Sequence, residues 1–92
     1  VRSMNTDTSW SQMDECLVLL SEECAEVIQA ASKTMRFPED DIKNRARLEK
    51  ELGDLQCMID LTCKHLDIDQ ESVVLWSNIK AEKLKQWSNL LK

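Results

Sequence analysis

The chain has 92 residues, of which 42% are hydrophobic, and its 17 acidic side chains outnumber 12 basic ones to give a formal net charge of −5. This length holds one domain with a thin core, and the acidic balance excludes a general nucleic-acid binder, which would present a basic face. A single Gly and a single Pro favour a chain built only of helices.

The first predicted element is a long helix behind a loose start. We expect residues 1–9 to be flexible and residues 10–92 to form a single helical domain. Ser9 or Thr8 would cap a helix that begins near residue 10 and ends at about Lys33 or Met35. Apolar residues recur in this helix at steps of four and three, which predicts one buried face. This face consists of Met13, Leu17, Leu20, Cys24, Val27 and Ala31.

Acidic residues flank this predicted face. At about 100° per residue, Glu23 lies roughly 80° from the centre of the apolar stripe, and Glu26 lies roughly 60° further around. Unpaired carboxylates near the dry side of a helix are costly, so these two side chains need a partner. Glu22, which precedes them, turns away from the stripe.

The second predicted helix repeats this arrangement. It follows the break that Pro38 imposes on the residue before it, and it runs from about residue 41 to about residue 66. Both one long helix and a short helix bent into a longer one fit the pattern. Its apolar stripe consists of Leu48, Leu52, Leu55, Ile59 and Leu66. Glu51 and Asp54 flank that stripe at the same angular offsets as the acids of the first helix.

The third predicted helix spans residues 70–88, capped by one of two preceding aspartates. Its looser apolar face consists of Trp76, Leu84, Trp87 and Leu91. Lys80 and Lys83 fall on the same side, and Asn78 lies around the helix from them. Two interpretations of these lysines stay open. Their aliphatic stems would cover apolar surface while the charges stay in water, or their ammonium groups would contact phosphates.

The four cysteines lie inside helical patterns without CxxC spacing. This placement favours buried free thiols, as in the reducing cytoplasm. Zinc is not expected, because His65 is the only histidine and no ligand spacing accompanies it. We also expect no membrane span, since no run approaches the roughly 20 apolar residues that a span requires.

Two helices that each carry an acidic pair at one offset predict a single pocket lined by four carboxylates. These are Glu23, Glu26, Glu51 and Asp54. Acids held this close raise one another's pKa unless a positive group lies between them. Mg²⁺ fits best, because it takes oxygen ligands from carboxylates and substrate phosphates together.

Two alternatives to Mg²⁺ in this pocket remain open, a basic side chain and a pair of iron ions. A network filled by Arg47 or Lys50 is the main rival interpretation. Arg47 lies one turn before Glu51, so it is expected to pair with that acid or with a bound phosphate. A di-iron site is a weaker prediction, since helical bundles of that class use Glu-x-x-His, which neither acidic pair provides.

The acidic pairs carry a resemblance to a known family. The run EECAE at residues 22–26 and the run RLEKELGD at residues 47–54 resemble the EExxE…KxxxExxD pattern of the MazG-like, all-α nucleoside triphosphate pyrophosphohydrolases, in particular their short bacterial and phage-type members. Arg47 stands where the family usually has lysine, which keeps the charge. The motif covers residues 22–54, and the helix layout extends the resemblance over most of the chain.

The resemblance implies a fold, a reaction and a site. The fold is an all-α antiparallel bundle of three to four helices, completed by assembly into homodimers or homotetramers. The reaction cleaves a nucleoside triphosphate between its α and β phosphates, with Mg²⁺ as cofactor. Carried over by position, the metal ligands are Glu23, Glu26, Glu51 and Asp54, the candidate general base is Glu22, and the candidate phosphate contacts are Arg47, Asn78, Lys80 and Lys83.

Three functions are therefore weighed from the sequence. The first is a Mg²⁺-dependent pyrophosphohydrolase that cleans the nucleotide pool. The second is a nucleotide- or metal-binding protein on the same scaffold without turnover. The third is a helical interaction module whose acids are surface charges, and it predicts that Glu51→Gln or Asp54→Asn changes little.

Overall fold

The computed structural model describes residues 11–91 and contains three α-helices. They are α1 (Gln12–Arg36), α2 (Asp41–His65) and α3 (Gln70–Trp87), and a short 3₁₀ turn (Pro38–Asp40) joins the first two. The prediction of an all-α chain is confirmed for these residues. The three helix ends fall close to their predicted positions, and α2 is one helix rather than two bent ones.

A capping box starts α1. The Ser11 hydroxyl accepts the backbone N–H of Asp14 at 3.1 Å, and the Asp14 carboxylate accepts the backbone N–H of Ser11 at 3.3 Å. This reciprocal pair satisfies two donors that a helix start leaves open. The cap is thus Ser11 rather than Ser9 or Thr8. Those two residues and the predicted flexible segment 1–9 lie outside the described residues.

The first two helices form an antiparallel hairpin. The thiol of Cys16 lies 3.3 Å from the hydroxyl of Thr62, so the start of α1 meets the end of α2. At the other end, the side-chain amide of Asn44 donates to the carbonyl oxygens of Lys33 and Phe37, at 3.3 and 3.2 Å. These bonds fasten the end of α1 to the beginning of α2 and fix how the two helices align.

The face that packs inside the hairpin coincides only in part with the predicted apolar stripe. The buried residues of α1 are Cys16 and Ala30, and those of α2 are Asn44, Glu51, Met58, Thr62 and Cys63. Met13 and Leu52 from the predicted stripes are instead 48% and 50% exposed. In α2, Asn44, Glu51 and Met58 follow one another at spacings of seven, which return to one side of a helix every two turns. The stripe prediction is therefore confirmed only in part: Leu48, Leu55 and Ile59 are half-buried, whereas Met13 and Leu52 stay largely exposed in a single chain.

The third helix projects from the hairpin. A residue in the left-handed region, Asp67 with φ of 56°, ends α2, and Asp69 then caps α3 by accepting the N–H of Glu71 at 3.0 Å. No residue of α3 is buried, and α3 packs along neither α1 nor α2. The radius of gyration is 16.1 Å, against about 12 Å for a compact chain of this length.

Two further predictions concerned the cysteines and the absence of a membrane span. All four cysteines are free. Cys16 and Cys63 are buried as expected, whereas Cys24 and Cys57 are exposed. Among residues 11–91, no helix is both long enough and apolar enough to cross a membrane.

Candidate metal centre

Three of the four predicted carboxylates meet at the middle of the hairpin. One oxygen each from Glu23, Glu51 and Asp54 lies within 4.8 Å of the other two. Glu23 lies seven residues from both Cys16 and Ala30, on the inner face of α1. Glu51 lies on the inner face of α2, and Asp54 follows it by one turn. The antiparallel docking of the two helices therefore creates the cluster.

Of the three carboxylates, Glu51 is the most buried, so its charge is the most costly to leave without a partner. This residue is only 5% exposed, whereas Glu23 and Asp54 are half-buried. A buried carboxylate is costly unless it is paired and hydrogen-bonded. A cation is therefore expected at this end of the cluster.

In the structure, Lys50 supplies that cation. Its Nζ donates to Oδ2 of Asp54 at 2.7 Å and to Oε1 of Glu51 at 3.3 Å. The hydrogen bond from Lys50 lowers the pKa of Asp54, and the bond to Asp54, followed by the one to Glu51, raises the pKa of Lys50. A lysine-bridged network, the rival to a metal, thus forms on one side of the cluster.

The fourth predicted ligand, Glu26, lies outside this three-residue cluster. Its Oε2 accepts a hydrogen bond from Nη2 of Arg47 at 3.4 Å, across the two helices. Arg47 therefore pairs with Glu26 and not with Glu51, one of its two expected partners. The predicted ligand and the predicted phosphate contact neutralise each other beside the cluster.

The candidate base Glu22 is not simply a solvated side chain. The residue is half-buried, and its Oε2 is shielded from solvent. Glu22 precedes the cluster residue Glu23 in α1. It is thus held next to the acidic cluster, although the helix turns it to a different side.

The remaining predicted contacts lie on α3, apart from the cluster. Lys80 and Lys83 line an exposed groove together with Trp76 and Trp87, and Asn78 is exposed on the same helix. Because α3 packs along neither helix of the hairpin, one chain does not bring these residues to the carboxylates.

Two polar residues that organise the hairpin were missed by sequence reasoning. Asn44 is buried and bonds two carbonyl groups at the end of α1. Thr62 is buried, donates to the carbonyl oxygen of Met58 at 2.6 Å and contacts the thiol of Cys16. The spacing of seven from Asn44 through Glu51 to Met58 could have indicated the packed face of α2. It was overlooked because two of these three residues are polar.

The arrangement suits a hard, oxygen-binding cation. Three carboxylates within reach of one point could hold a metal ion, and Mg²⁺ and Ca²⁺ are the ions that prefer oxygen ligands of this kind. The chain matches no protein-family model, no curated protein and no solved structure. The function must therefore be argued from the residues themselves.

Proposed function

We propose that this chain is a Mg²⁺-dependent nucleoside triphosphate pyrophosphohydrolase of the MazG-like all-α type, acting on nucleotide pools. Its substrate would be a ribo- or deoxyribonucleoside triphosphate, and its products the monophosphate and pyrophosphate. The observation that carries the proposal is the cluster of Glu23, Glu51 and Asp54 within 4.8 Å. Two of these acids belong to the ExxD half of the motif, and the third belongs to the EExxE half.

Each residue of the site has a proposed role that depends on its position. Glu23, Glu51 and Asp54 would hold the ion, and Glu26 would join them if Arg47 turned from it to a phosphate. A bound Mg²⁺ supplies charge neutralisation on the triphosphate and lowers the pKa of a coordinated water. Glu22, beside the ligands, is the proposed general base that takes a proton from the attacking water.

We further propose that a second copy of the chain completes the site, as a homodimer or homotetramer. The exposed apolar faces of the hairpin and of α3 support this, because they leave one chain with few buried side chains. Phosphate contact by Asn78, Lys80 and Lys83 would then occur between subunits. A partner's α3 could bring its lysines to the carboxylates, whose charge is opposite.

A cytoplasmic location belongs to the same proposal. The four free cysteines support it, because thiols persist in a reducing compartment. Nucleoside triphosphate substrates would be met in that compartment.

The proposal is tested by incubating the folded chain with a panel of canonical and damaged nucleoside triphosphates, with and without Mg²⁺. Monophosphate and pyrophosphate should appear in equal amounts and only with the metal. Asp54→Asn should lower the rate by about a hundredfold or more, as loss of a group that stabilises transition-state charge does. Glu49→Gln, an exposed acid on α2, is the control and should keep activity. A folded chain that leaves every triphosphate intact would contradict the proposal.

A second candidate is a non-catalytic helical module that binds nucleotide, metal or another protein. Two observations favour it: Lys50 already pairs with Glu51 and Asp54, and α3 presents an exposed apolar surface that includes Trp76 and Trp87. A purely structural module predicts no stabilisation by Mg²⁺ in a thermal melt. A real site gains about 2.7 kcal/mol when the free ion reaches a hundred times its Kd.

A further inference from the structure

Lys50 is the part of the candidate metal centre that the proposed function leaves unexplained. Its Nζ lies 2.7 Å from Oδ2 of Asp54 and 3.3 Å from Oε1 of Glu51. One ammonium group therefore contacts two of the three carboxylates that would hold the ion. A cation that bound both of these oxygens would need the position that the ammonium group holds.

A divalent ion and this ammonium group compete for the two carboxylates. The lysine contacts one oxygen of each, and an ion that coordinated these same oxygens at about 2.0–2.1 Å would have to displace it. An ion on the other two oxygens would still be repelled by the ammonium charge. Lys50 therefore opposes filling of the site by metal.

The lysine is placed so that it can leave easily. Its side chain is 70% exposed, and a lysine stem is long and flexible, with a head that water hydrates strongly. The pair with Asp54 is exposed on both sides, and pairs of this kind are weak individually. The pair with Glu51 is the longer of the two. Lys50 can therefore turn away from these carboxylates at small cost.

We propose that Lys50 is an internal counter-cation, which stabilises the metal-free cluster and competes with the divalent ion for Glu51 and Asp54. It thereby raises the metal concentration at which the site fills, because the bound ion must overcome the lysine's pairs and its charge. This inference rests on the proposed metal site and concerns its regulation.

The test compares Mn²⁺ binding by calorimetry in wild type, Lys50→Gln, Lys50→Arg and Lys64→Gln. We expect Lys50→Gln to lower the Kd for Mn²⁺ by about five- to tenfold, because it removes both the competing pairs and the repulsion. Lys50→Arg keeps the charge and should bind like wild type. Lys64→Gln removes the same charge about 21 Å further along α2, beyond the Debye length, and should also bind like wild type.

Thermal melts of the same variants supply a second readout. In a chelator, Lys50→Gln should melt at a lower temperature than Lys64→Gln, because its carboxylates lack a counter-charge. Saturating Mn²⁺ should remove that difference. If wild type binds Mn²⁺ and Lys50→Gln binds it equally or more weakly, this inference is wrong and the metal site stands. If no variant binds Mn²⁺, the metal site and the inference fail together.

Discussion

The guanidinium group of Arg47 on α2 donates a hydrogen bond to the carboxylate of Glu26 on α1, over 3.4 Å. This ion pair crosses the hairpin directly beside the acidic cluster, and both side chains are partly exposed. Glu26 is not part of the cluster of Glu23, Glu51 and Asp54. Under the proposed function, a bound triphosphate would compete with Glu26 for Arg47.

The pair itself should contribute little to stability. Arg47→Gln and Glu26→Gln are each expected to lower the free energy of unfolding by less than about 1 kcal/mol, because water screens partly exposed pairs. Urea denaturation of the two single variants and the double variant measures the coupling. A coupling well above that value would show that the pair is a structural clamp and not a releasable contact.

The buried amide of Asn44 should matter more. Asn44→Ala is expected to cost about 1–2 kcal/mol, because the carbonyl oxygens of Lys33 and Phe37 each lose a donor. Asn44→Asp should cost about 3 kcal/mol or more, since an acceptor-only carboxylate would face the same carbonyl oxygens without a partner. Urea midpoints at neutral pH check the order. An Asn44→Asp chain as stable as wild type would contradict these contacts.

The sequence predicted the helix ranges well, because Pro38 and Asp69 act locally and the helical period needs no tertiary information, although it did not identify Ser11 as the cap of α1. It predicted the cluster of Glu23, Glu51 and Asp54 for a reason that was only partly right. The acids were placed at the edge of apolar stripes, whereas Glu51 lies at the centre of the packed face. A search for apolar residues could not reveal this, because two of the buried residues of α2, Asn44 and Glu51, are polar.

The apolar stripes point to a surface that a single chain leaves uncovered. Met13 and Leu52 lie on it, roughly half exposed, and sequence periodicity cannot distinguish a face buried within a chain from one buried between chains. The lysines of α3 were grouped with the acids by resemblance, whereas in one chain α3 lies apart from the hairpin. Tertiary packing, which the sequence pattern does not contain, decided both points.

Gly53 gives a direct measure of whether α2 is covered at that point. It lies mid-helix, and a Cβ added there would meet nothing within 4 Å. Gly53→Ala should therefore raise the free energy of unfolding by about 1 kcal/mol, the difference in helix propensity. Ala46→Gly, at another exposed position of α2, is the matched reverse and should lower it by about as much. A destabilising Gly53→Ala would indicate that a second subunit packs closely against this glycine.

The acid dependence of stability should report the pair between Lys50 and Asp54. The hydrogen bond from Lys50 lowers the pKa of Asp54 in the folded chain, so its contribution is present above the ordinary value of about 3.9. That contribution is lost as the pH falls through the lowered pKa. In metal-free buffer, wild type should exceed Asp54→Asn in urea midpoint by a small margin near neutral pH. The margin should shrink below about pH 4, and a margin that persisted in acid would contradict the pairing.

The most direct test of the account is a Mn²⁺ titration followed by electron paramagnetic resonance, with wild type, Glu51→Gln and Glu49→Gln compared by circular dichroism for fold. Wild type and Glu49→Gln should bind Mn²⁺ alike, and Glu51→Gln should bind it at least about tenfold more weakly, since even an indirect ligand partner is worth that much. Equal binding by all three folded proteins, or none by wild type, would contradict a metal centre at Glu23, Glu51 and Asp54.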